Sequence, residues 1–186
     1  IRAKGQVLVI QRSASAGLNS QNKLFNAIVE SVKESLQLTG LTYTGGTSML
    51  DKVLTTLKDP NSAFNFAGAF QKYRAKFTEY ASAQSVICDL EELDLEDKLD
   101  LLDTIIDVAD AEGYNWSMSP EEVVNWLEDV RKGNHLYAIL FIWDEFTEYF
   151  KNNQNNITGL QEIAMADSRI GFYFFLITHS SLTQVI

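Results

Sequence analysis

Ala138-Ile139-Leu140-Phe141-Ile142-Trp143-Asp144-Glu145 is the stretch on which the fold turns: six apolar residues that stop at two adjacent carboxylates. An unbroken apolar run suits a strand buried on both faces of a parallel sheet. Burying Asp144 and Glu145 within such a sheet is costly. They are expected instead at its carboxyl edge, where open α/β sheets bind ligands.

Working outward, Gln6–Gln11 reads as a short buried strand introduced by Gly5, and Arg12–Ser20 as a loop of small turn formers. A helix capped near Asn19 or Ser20 follows. Leu24, Phe25, Ile28, Val29, Val32 and Leu36 give it one buried stripe, and Gly40 stops it. Beyond the opening stretch, Phe146–Phe150 form a short exit and Lys151–Asn156 a polar loop, then a helix spans Thr158–Asp167. Phe172–Ile177 reads as another strand, ending in Thr178-His179-Ser180-Ser181.

Between the two strand-bearing parts the strand signal disappears. The spacing predicts a short helix capped by Thr47 or Ser48 and ended by Pro60, and a longer aromatic helix from Ser62 to about Gln84. An acidic helix with a Leu95, Leu99, Leu102, Ile106, Ala109 face should end at Gly113. Ser119-Pro120-Glu121-Glu122 opens one more, which runs to Gly133. The expected organisation is an α/β core of residues 1–40 and 133–186, with residues 41–132 as an all-helical insertion.

Composition narrows the classes of function. The chain has 186 residues, 46% of them hydrophobic, enough for a substantial core. No apolar run approaches the roughly 18–20 residues of a membrane span, and no signal-peptide pattern opens the sequence. Cys88 is the single cysteine, which excludes an internal disulfide and fits a reducing, cytoplasmic setting. Between Asp89 and Glu112, eleven acids face one base, an excess equal to the whole chain's net charge of −10. The remainder is balanced, so direct binding to a nucleic-acid backbone is not expected.

The order strand–helix–insert–strand-Asp-Glu–helix–strand-Thr resembles the middle of a P-loop NTPase, of the AAA+/STAND-like class that sets a catalytic glutamate beside the Walker B aspartate. Leu140–Glu145 carries the first half of that resemblance. Phe174–Thr178, which looks like the sensor-1 strand, carries the second. The long insert, with Trp143-Asp144-Glu145-Phe146 and Thr178-His179-Ser180, is similar to large bacterial ATPases of phage-exclusion (BREX-type) and related defence systems.

The resemblance implies a three-stranded parallel part of the family sheet, in family strand order 2-3-4, with the Asp144 strand in the centre. It implies ATP and Mg2+ as ligands, with Asp144 as the magnesium ligand and Glu145 as the general base. Thr178 and His179 would sit by the γ-phosphate or the attacking water, and Gln11 would restrain Glu145. Other protein subunits or domains would be the partners.

One element of the family is missing. No G-x-x-x-x-G-K-[ST] loop occurs, and Gly45-Gly46-Thr47-Ser48 lacks the lysine. In the family order that loop precedes the first strand, Ile1–Lys4 being the tail of its helix, so a piece of a larger ATPase is expected, inactive by itself. The competing expectation is a non-enzymatic interaction module with an acidic helical docking surface.

Overall fold

The computed structural model describes residues 5–13, 18, 20–42, 47–152, 158–165 and 170–178. The chain divides into two compact units, residues 1–46 with 118–186, and residues 47–117.

The first unit is α/β. Its strands β1 (Val7–Arg12), β2 (Ala138–Trp143) and β3 (Phe172–Leu176) form an open, all-parallel sheet in the order β1-β2-β3. The opening stretch is therefore the central strand, parallel to both neighbours. In-register partners such as Ile10↔Phe141 and Phe141↔Phe174 project to the same side. Leu8, Ile10, Ile139, Phe141, Trp143 and Phe172 line a buried side, each at 1% exposure or less. Removing a side chain of that size from water contributes roughly 1.5–3 kcal/mol.

The opposite side differs from the expectation of strands covered on both faces. Val9 is 53% exposed and Phe175 56%, and Val7, Tyr173 and Ile177 are exposed with them. Leu140 and Ile142 on the central strand are half-buried. This sheet alternates, because in the described residues the helices cover one face only.

Helix α1 (Gln21–Leu38) begins where the Ser20 hydroxyl accepts from the Lys23 amide. It ends at Gly40, whose φ of 69° lets the Gly40 and Leu41 amides close on the Gln37 and Leu36 carbonyls. The expected stripe is buried throughout. Helix α6 (Pro120–Gly133) has the expected serine cap, proline and Glu122 in a reciprocal capping box. It packs on α1 and on α8 (Thr158–Met165), and so falls within the α/β unit rather than the inserted one. It runs to Gly133 as expected, and the chain turns away at His135, φ 54°, with the His135 and Leu136 amides bonded to the Lys132 and Arg131 carbonyls.

The second unit is helical, with α2 (Met49–Lys58), α3 (Phe66–Lys72), α4 (Ala83–Glu92) and α5 (Leu95–Ala111). The expected continuous aromatic helix is broken. Asn65 caps α3 through the Gly68 amide, a single 3-10 turn spans Arg74–Lys76, and Ser82 restarts the helix with a Ser85 capping box. Asp94 likewise splits the acidic helix by accepting from the Asp97 amide. Local side-chain bonds to backbone outcompeted helix continuity. The aromatic core survives the break: Phe77 lies 5.9 Å from Phe66 and 5.5 Å from Phe70, ring centre to ring centre.

Candidate functional site

The carboxyl edge of the sheet collects Arg12, Asp144, Glu145 and Thr178, one strand end beside the next. Backbone bonds stitch them beyond the strands themselves. The Asp144 amide donates to the Arg12 carbonyl (2.8 Å), the Ile177 amide to the Trp143 carbonyl (2.8 Å) and the Phe146 amide to the Ile177 carbonyl (3.1 Å).

The turn that carries the two acids is anchored on both sides by buried aromatics. Trp143 and Phe146 are each fully buried, with ring centres 5.0 Å apart, and Phe146 also packs on Tyr149 at 4.8 Å. Helix α7 (Thr147–Asn152) follows at once. With both flanks fixed, only two residues remain to reverse the chain from strand to helix. Glu145 takes the left-handed conformation, φ 57°, which a side-chain-bearing residue adopts at a cost. Asp144 offsets part of that cost, its Oδ1 accepting the Glu145 amide at 2.8 Å. Asp144 is half-buried and Glu145 exposed at the edge.

Thr178 follows β3 by two residues and is half-buried. His179 lies outside the described residues. Gln11 is the penultimate residue of β1, exposed on the open face and in register with Ile142. The terminal residue is Arg12, which turns to the covered side. There its guanidinium lies 5.1 Å from the centre of the Trp143 ring and donates to the Ser31 hydroxyl (3.4 Å). Arg12 was not singled out from sequence. The signal was present, since Leu8, Ile10 and Arg12 share one phase of the strand alternation.

The donor set fits a magnesium ion only in a particular way. Among the described residues no group of three or more His, Cys, Asp or Glu side chains could hold a metal. Mg2+ commonly keeps several waters and takes one or two protein carboxylates plus phosphate oxygens. Asp144, with Oδ2 left after its amide bond, suits that sparse role and not a closed protein cage.

The helical unit presents a second candidate. A cleft of about 530 Å³ is lined by Glu79, Asp89, Asp97 and Asp100, with Tyr80 and Leu101 beside them. Burial, then Asp89, Glu79 and Asp97, raise the Tyr80 phenol above its ordinary value. The one lysine of the cleft, Lys76, pairs with Asp107 at 3.6 Å.

No protein-family model, curated protein or solved structure matches this chain. No described helix is long and apolar enough to cross a membrane.

Proposed function

We propose that the chain is part of an ATP-hydrolysing motor or switch protein, in which the Asp144–Glu145 turn forms the catalytic edge of a P-loop-type sheet. The observation that supports this reading is the placement of two consecutive carboxylates at the end of the central of three parallel strands, with Thr178 at the end of its neighbour. In this reading Asp144 helps hold magnesium on a bound nucleotide. The metal supplies charge neutralisation at the phosphates. Glu145 orients the attacking water and takes up its proton. The strained, pre-formed turn fixes the direction of both acids before substrate arrives.

The phosphate loop, the BREX-like defence setting and a cytoplasmic location belong to the same proposal. The coding sequence upstream of Ile1 tests it cheaply: a Gly-rich loop ending in Lys-Ser or Lys-Thr is expected there. In the parent protein, Asp144→Asn should weaken the magnesium dependence of nucleotide binding by at least tenfold. Unchanged dependence would remove Asp144 from the metal.

The acidic cleft favours a second, non-enzymatic reading. Its carboxylates and apolar wall suit a lysine or arginine side chain from a basic segment of a partner protein. Titration with a lysine-rich peptide should then show binding that weakens with salt and with Asp97→Asn/Asp100→Asn. Binding unaffected by that pair of changes would exclude the cleft.

A further inference from the structure

We draw no further inference here: the strongest candidate, the open apolar face of the sheet carrying Val9, Tyr173 and Phe175, carries nothing because nothing in the structure shows what covers it.

Discussion

The two units solve the same problem differently. The helical unit closes its local accounts: each of its α-helices starts on a side chain that accepts a backbone amide, from Ser48, Asn65, Ser82 and Asp94. The α/β unit leaves tensions standing. Among the described residues, both non-glycine residues with positive φ, His135 and Glu145, lie in it. So does Asn26, buried on α1 with neither side-chain polar atom hydrogen-bonded. Departures from local consistency gather where a protein does something other than fold. Of these departures, the one at the proposed site is the left-handed Glu145 in the Asp144–Glu145 turn.

The largest expected effect tests whether this turn depends on the sheet behind it. Trp143→Ala removes a fully buried ring that touches Phe141, Phe146 and Phe174. It should cost about 3–5 kcal/mol, read as a shifted denaturant midpoint. A loss below ~1 kcal/mol would mean that the aromatic anchor does not hold the turn.

Gly171→Ala comes next. Gly171 has φ 68°, and an added Cβ would meet the Tyr137 carbonyl at 3.2 Å and the Arg131 side chain at 3.1 Å. A penalty of roughly 1–3 kcal/mol is expected, whereas Gly113→Ala in the helical unit, with open space around it, should show only the φ penalty. Equal losses at the two sites would erase the difference in packing.

A smaller change of opposite sign is expected at Glu145→Gly. Relief of the left-handed strain should leave stability unchanged or raise it by up to ~1 kcal/mol. A clear loss of stability would show that the Glu145 side chain is structural.

The smallest effects are in pH. Lys72 donates to Glu112 (2.6 Å), as does the Tyr73 hydroxyl (2.9 Å), and these bonds hold the Glu112 carboxyl below its ordinary value while the same partner raises Lys72. The Glu112 contribution is present above pH 4.5 and fades as pH falls through its lowered value. The Lys72 contribution is present below pH 10.5 and fades as pH rises through its raised value. Both groups are surface-exposed, so added salt should flatten this dependence in a helical-unit melt. In the α/β unit, burial raises the Tyr149 phenol above 10.0. Its unfolded form ionises first, so stability should fall as pH climbs past 10.0, with little salt effect.

Much of this was legible in the residues. The β2 run, the Ser20 and Ser119 caps and the Gly40 and Gly113 stops all follow from periodicity and turn chemistry, whereas the central position of β2 was what the resemblance to P-loop sheets implied. The breaks at Asn65, Ser82 and Asp94 were harder to read. Polar residues there compete with helix continuation by only about a kcal/mol, and a continuous apolar stripe hides the contest. The exposed face of β1 and β3 was invisible for another reason. Val7, Val9, Tyr173 and Phe175 are apolar like their buried neighbours, so no alternation marked the open side. At the candidate site, the acids could be placed at the strand end by the cost of burial alone. The left-handed Glu145 could not, because it arises from the fixed aromatic flanks, and the Arg12–Trp143 contact needed the β1–β2 register, which sets the two residues side by side.

The central claim concerns Glu145, and turnover decides it. In the proposed ATPase, Glu145→Gln should lower ATP hydrolysis by about 10²–10⁴-fold while bound nucleotide is retained. Hydrolysis at the unaltered rate, with nucleotide bound, would contradict Glu145 as the base and with it the assignment of this edge as catalytic.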